Sequence, residues 1–180
     1  MSPQSPGPGG PRRRATRRAQ RPVSLHVDLQ CRVQAWSPSA RVICRWASAA
    51  LGRAARGREM GVSVVGPAES RRLNARFRGR NRPTNVLSFP AGAVPPPQAQ
   101  VAAAAPPRPL GDLVICPQVL QAEAREQSKE LNAHWAHLIV HGALHLIGYD
   151  HERDADAQRM ERREISVLRD LGFANPYRSA

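Results

Sequence analysis

The chain has few of the residues that mark a secreted or membrane-bound protein. Only three of its 180 residues are cysteines, and none has the C-x-x-C spacing of a redox or metal motif. This argues against a disulfide framework and predicts that Cys31, Cys44 and Cys116 are small buried side chains in a reducing compartment. No apolar run is long enough to span a bilayer, and the N-terminus lacks the apolar core of a secretory signal. We therefore expect a cytoplasmic protein without a membrane partner.

Lysine and acidic residues are also scarce, whereas arginine is abundant. Lys129 is the single lysine, yet the formal net charge is +13, because Lys and Arg together number 27 against 14 Asp and Glu. Residues 1–40 contribute +6, residues 41–82 contribute +9, and the remainder contributes −2. Preference for Arg over Lys explains the residue type but not the net charge. A cationic segment of this size predicts a polyanionic partner such as nucleic acid.

The N-terminal segment differs in composition from the rest of the chain. Residues 1–22 hold six arginines with many prolines and glycines, and hardly any large apolar residue, so we expect a disordered basic tail. A nonspecific nucleic-acid contact, a solvated filler and an organellar targeting segment all remain open for it. Residues 23–177 fit one domain. Within that domain, the Ala/Pro-rich residues 91–109 predict a flexible loop.

Hydrophobic periodicity predicts about four strands and five helices. The strands are expected over residues 23–33, 59–65, 84–89 and 110–116. The helices are expected over residues 37–56, 67–77, 117–128, 131–147 and 154–171, with Leu73, Phe77, Met160 and Leu168 facing inward. Because strands come first and helices collect late, the pattern predicts an α+β fold with a small mixed sheet.

Residues 141–151 (HGALHLIGYDH) are the most informative stretch. His141 and His145 are four residues apart, so they lie one above the other on a helical face. Gly148 can adopt the left-handed conformation that ends the helix and returns His151 towards the other two imidazoles. Three protein ligands with an open fourth position are typical of a catalytic zinc site, so the spacing predicts a metal-dependent hydrolase.

The same spacing occurs in metzincin metalloproteases, with one difference. Those enzymes carry a glutamate as general base directly after the first histidine, and this chain has Gly142 there. Buried core histidines are the alternative interpretation, which suits a lone histidine better than a whole motif. Zinc-bound imidazoles usually donate their second N–H to a carboxylate or carbonyl, and Asp150 is a candidate acceptor. His134 and His137 either line the cleft, pack inside or face solvent.

Several blocks of the sequence resemble one family. They are residues 73–78 (LNARFR), 82–90 (RPTNVLSFP), 110–112 (LGD), 134–151 (HWAHLIVHGALHLIGYDH) and 160–161 (ME). Together they resemble the YbeY family of bacterial endoribonucleases and rRNA maturation factors, over about residues 23–177. One departure is Asn85, where many members have Asp. The basic tail and the Ala/Pro-rich loop are not part of the shared pattern.

The resemblance implies a single-strand-specific, metal-dependent endoribonuclease that acts in 16S rRNA 3′-end maturation and ribosome quality control. It implies one zinc ion per chain, held by His141, His145 and His151 on a central helix, with Arg78 as a further catalytic residue. The implied partners are single-stranded RNA or the 16S rRNA precursor, with the small ribosomal subunit or assembly factors. No nucleotide cofactor is expected.

This set of residues suits phosphodiester cleavage. Zinc on three neutral imidazoles keeps its full charge, can bring the pKa of bound water towards about 7, and can polarise a phosphoryl oxygen. The planar guanidinium of Arg78 could bind two oxygens of a phosphorane-like state. The nucleophile, an RNA 2′-hydroxyl or the bound water, stays open. Two alternatives also remain: a non-catalytic RNA-binding assembly factor with a structural zinc, and a hydrolase of another substrate such as a peptide.

Overall fold

The computed structural model describes residues 24–92 and 108–178. The tail predicted for residues 1–22 and most of the loop predicted for residues 91–109 lie outside the described residues. The described residues form a four-stranded sheet with five α-helices, which confirms the α+β class. None of these helices is both long enough and apolar enough to cross a membrane.

The sheet is mixed, as the sequence predicts. Its strands are β1 (His26–Cys31), β2 (Arg58–Val64), β3 (Val86–Pro90) and β4 (Arg108–Ile115), in the spatial order β1-β2-β4-β3. Strands β1, β2 and β4 are parallel, and β3 runs antiparallel to β4. Because parallel neighbours need a long crossover connection, helices lie between them in sequence.

The helices are α1 (Ala40–Leu51), α2 (Pro67–Arg78), α3 (Pro117–Glu126), α4 (Leu131–Leu146) and α5 (Asp154–Asp170). A short 3-10 turn, Gly52–Ala55, follows α1. Helix α1 begins later than predicted, because the Ser37-Pro38 pair in the sequence favours an N-cap at Ser37 with the proline in the first turn. Ser39 is the residue that precedes it, because the Ser39 carbonyl accepts the N–H groups of Val42 and Ile43. The true first turn is therefore defined by this carbonyl and not by the proline.

Strand β4 also begins earlier than predicted. The composition of residues 91–109 suggests a loop, yet Arg108 and Pro109 already pair with β2. A register shift between Glu59 and Met60 accompanies this pairing, and irregularities of this kind accommodate a proline that has no N–H to donate.

Helix α4, which carries the histidine motif, lies in the core. Ten of its sixteen residues are buried, and it packs against β3, β4, α1, α3 and α5. Neighbours on this many sides hold its histidines in fixed positions.

Two residues that the sequence predicts to be buried, Phe77 and Cys31, are exposed. Phe77 is 51% exposed, and the buried residues of α2 are instead Ser70 and Asn74, which donate hydrogen bonds to the carbonyls of Thr84 and Arg82. Cys31 is exposed because it ends β1, an edge strand. Of the other residues predicted to be buried, Cys116, Met160 and Leu168 are buried, whereas Cys44 and Leu73 are half-buried.

Candidate metal centre

The structure brings the three motif histidines together. His141 and His145 lie one turn apart on α4, and their Nε2 atoms are 3.2 Å from each other. Gly148 has φ +89°, which ends the helix, so that the ring centroid of His151 lies 5.7 Å from His141 and 5.0 Å from His145. One nitrogen from each ring lies within 4.8 Å of the other two. A single ion could contact all three imidazoles.

A buried carboxylate lies directly behind this triad. Glu164 of α5 is 0% exposed, and its Oε1 accepts the Nδ1–H of His141 at 2.9 Å. Its Oε2 accepts the Nε2–H of His137 at 2.9 Å and also the hydroxyl of Tyr177. Burial alone would raise the pKa of Glu164, but the hydrogen bonds from His137 and His141 lower the pKa to about 2. The group is therefore an ionised acceptor near neutral pH.

This hydrogen bond determines the tautomer of His141. An ionised carboxylate has no proton to donate, so the Nδ1 of His141 carries the hydrogen and its Nε2 keeps a free lone pair. That lone pair is on the side of His145. Glu164 therefore has the position and charge of the second partner that zinc-bound histidines usually have.

The sequence argument misses Glu164 and names Asp150 instead. Asp150 accepts the backbone N–H of His151 at 2.7 Å, so it shapes the turn and does not orient an imidazole. Glu164 is 23 residues from His141, too far to be paired by local spacing. One signal was present: Met160, Glu164 and Leu168 recur at intervals of four along α5, which places a carboxylate within the apolar stripe.

His134 and His137 have structural partners. His137 bonds to Glu164 as described, and the Nε2 of His134 lies 3.1 Å from Oε2 of Glu123. Asn85 also donates to Glu123 Oε2, at 2.8 Å, a role that an ionised aspartate could not fill. Burial raises the pKa of Glu123, but the bonds from His134 and Asn85 lower it overall. Both histidines are therefore bonded to carboxylates, and Glu164 is the carboxylate that also contacts the triad.

The triad opens onto a cleft of about 710 Å³. Arg78, at the end of α2, lines the same cleft, and its guanidinium donates to the carbonyl of Ser88 at 3.3 Å. Arg80 lines it as well. The structure therefore brings the four residues singled out in the sequence, His141, His145, His151 and Arg78, to one cavity.

The donor set fits zinc. Burial, followed by the nearby His141 and His151, lowers the pKa of His145 below its usual 6.5, which keeps the imidazole neutral and able to bind metal near pH 7. Three imidazoles with a free side towards a cleft match the open coordination of catalytic zinc sites.

Gly142, which directly follows His141, packs closely against the sheet. A Cβ atom on Gly142 would lie 2.8 Å from Cδ2 of Leu113 and 3.3 Å from Oγ of Ser88. Helix α4 therefore approaches the sheet so closely that any side chain at position 142 would require the Leu113 side chain to shift.

Comparisons with known proteins agree with this architecture. The chain resembles the solution structure of TM1509 from Thermotoga maritima, with a TM-score of 0.51 and 21% sequence identity, over 84% of this chain and 99% of that chain. That likeness supports the fold. A family model described as "Endoribonuclease YbeY" matches residues 28–172, which is most of the chain. The protein therefore belongs to the YbeY endoribonuclease family.

Proposed function

We propose that this protein is a zinc-dependent endoribonuclease that cleaves single-stranded RNA during 3′-end maturation of 16S rRNA and in ribosome quality control. Membership of the family supports endoribonuclease activity in rRNA processing in general. The observation that carries the proposal is the cleft itself, where three converging imidazoles and a guanidinium line one cavity.

The three imidazoles of His141, His145 and His151 would hold the metal, one ion per chain. When bound there, zinc would lower the pKa of a coordinated water towards about 7 and polarise a phosphoryl oxygen. Glu164 would hold the His141 ring in the ligating tautomer through its bond to Nδ1.

Arg78 would bind the phosphate that is cleaved. Its bond to the Ser88 carbonyl uses one of its five N–H donors and orients the guanidinium plane. The other donors can pair with two phosphoryl oxygens and stabilise the additional charge of the transition state. Lysine would supply a point charge without this bidentate geometry.

We further propose that the substrate is the 16S rRNA precursor, met in the cytoplasm on the small ribosomal subunit or with its assembly factors. The +9 charge of residues 41–82, which include Arg78 and Arg80 of the cleft, supports a polyanionic substrate. Gly142 disfavours a peptidase, because it stands where the usual general base would be, and a larger side chain there would have to displace Leu113.

The decisive experiment is cleavage of a single-stranded RNA by zinc-loaded protein, beside identically purified His145→Ala and Arg78→Ala variants. Loss of a metal ligand should abolish cleavage, and loss of Arg78 should slow it by about 10²-fold, the usual effect of removing one transition-state donor. Arg125→Ala, an exposed arginine on α3, is the matched control and should cut normally.

Equal cleavage by the wild type and all three variants would indicate a contaminating nuclease and would contradict the proposal. RNA binding without cleavage by zinc-loaded wild type would also contradict it, and would favour the assembly factor with a structural zinc.

A further inference from the structure

Phe77 is an exposed aromatic residue near the end of α2. In the described part of the chain, the large hydrophobic residues exposed by more than a third are Trp36, Phe77 and Tyr177. A single exposed apolar side chain is common in proteins. Phe77, however, stands between Arg76 and Arg78, and Arg78 lines the cleft.

The ring of Phe77 is supported on one side and accessible from solvent. It packs against Phe89, with centroids 5.0 Å apart and planes at 72°. The guanidinium carbon of Arg76 lies 5.2 Å from the Phe77 centroid. Phe89 thus supports the Phe77 ring, and the planar guanidinium of Arg76 already lies over one face of that ring.

Phe77 and Phe89 are next in sequence to residues that line the cleft, and neither of the two rings is itself among the lining residues. The residues on either side of Phe89, which are Ser88 and Pro90, line the cavity, as does Arg78 next to Phe77. The surrounding charge is positive, because residues 67–82 contain six arginines and a single carboxylate, Glu69. A strand of RNA that places a phosphate at Arg78 would bring an adjacent base within reach of this aromatic pair.

We propose that Phe77 is a stacking platform for an unpaired base next to the phosphate that is cleaved, and that Arg76 moves from the ring to a neighbouring phosphate when RNA binds. The inference rests on the proposed function and adds a specific contact to it. Aromatic side chains between cationic residues bind single strands in this way, because every base has a face that can stack. A base inside a duplex is already stacked and paired, so this contact favours single-stranded RNA.

The test compares Phe77→Leu with Phe77→Trp, since leucine keeps apolar contact with Phe89 but cannot stack, whereas tryptophan can. Affinity for a labelled single-stranded oligoribonucleotide is measured by fluorescence anisotropy in the His145→Ala background, which prevents cleavage. Phe77→Leu should weaken binding by roughly 5- to 150-fold, the range expected for one stacked base, and Phe77→Trp should not. Affinity for a duplex of the same sequence should be equal in both variants.

Trp36→Leu is the matched control, because Trp36 is 52% exposed and packs on Trp135, and its sequence neighbours do not line the cleft. It should bind single-stranded RNA like the parent protein. Tryptophan fluorescence gives a second readout that does not depend on the leucine variant: RNA should quench Phe77→Trp beyond any quenching of the parent protein.

Equal affinity of the leucine and tryptophan variants for the single strand, or equal quenching with and without Trp at position 77, would overturn the stacking role and leave the proposed endoribonuclease intact. If the parent protein with an unsubstituted Phe77 binds no single-stranded RNA, the proposed function fails together with this inference.

Discussion

Glu164 joins three side chains from different parts of the chain at one buried carboxylate. His137 and His141 reach it from α4, and Tyr177 reaches it from beyond the end of α5. A buried charge is costly unless it is paired and hydrogen-bonded, and here both oxygens are bonded. The same contact that satisfies the charge also orients a candidate zinc ligand, so structure and chemistry depend on one residue.

The substitution Glu164→Gln should weaken zinc binding by about 10- to 100-fold, the usual effect of losing such a partner of a metal ligand. Glutamine keeps the shape but not the charge that holds the His141 tautomer. Competition with a chromogenic chelator at neutral pH measures the affinity. Glu161→Gln, an exposed position on the same helix, is the control, and equal zinc affinity in the two variants would contradict the orienting role.

Glu164 also predicts a pH dependence of stability in the metal-free protein. Its pKa is lowered from 4.5 to about 2 in the folded state, so the unfolded chain binds the additional proton between these values. The stabilisation is therefore complete above about pH 4.5 and is lost as the pH falls towards 2, by about 3 kcal/mol. Urea unfolding across this range should show a steeper loss in wild type than in Glu164→Gln, and parallel curves would contradict the assignment.

At the scale of elements, the close contact between α4 and the sheet positions the three histidines of the candidate metal centre. Leu113 of β4 and Ser88 of β3 occupy the space in which a side chain at Gly142 would lie. Two faces of α4 have different surroundings. Gly142 packs on the sheet, whereas His141 and His145 face the cleft.

This contact predicts that Gly142→Ala lowers the free energy of unfolding in wild type but raises it when Leu113 is also shortened. In wild type, the added methyl group should cost about 1 kcal/mol net, because overpacking outweighs the gain in helix propensity. In a Leu113→Ala background, which itself costs about 2–5 kcal/mol, the methyl group has room and should stabilise by up to about 1 kcal/mol. Urea unfolding of the four proteins gives the coupling energy, and an equal effect in both backgrounds would contradict the close packing.

Boundaries of elements were harder to predict than their existence. The sequence places all four strands and five helices, but α1 begins at Ala40 because the carbonyl of Ser39 takes the first-turn bonds. Strand β4 begins at Arg108 because pairing with β2 overrides a loop-like composition. In both cases hydrogen bonds made in the folded chain decide between starts that the local pattern permits.

For the whole molecule, zinc should stabilise the folded state, because the three imidazoles converge only after folding. At a free zinc concentration of 100 times the Kd, the expected gain is about 2.7 kcal/mol, or roughly 5 to 10 °C in Tm. Thermal unfolding with added zinc measures this shift, and a chelator should reverse it. His145→Ala should show no shift, so an equal shift in the variant would locate the zinc elsewhere.

The sequence by itself determined the features that depend on short-range geometry. His141, His145 and His151 come together through one helical turn and one glycine, whereas Arg78 is singled out by the resemblance of its sequence block to the YbeY family. Tertiary structure alone decided which distant groups meet. It paired His141 with Glu164, bonded Asp150 to the backbone N–H of His151 in the turn, and left Phe77 exposed. The physical reason is that spacing along a helix orients side chains over a few residues, whereas contacts between separate elements are set by how their buried faces pack.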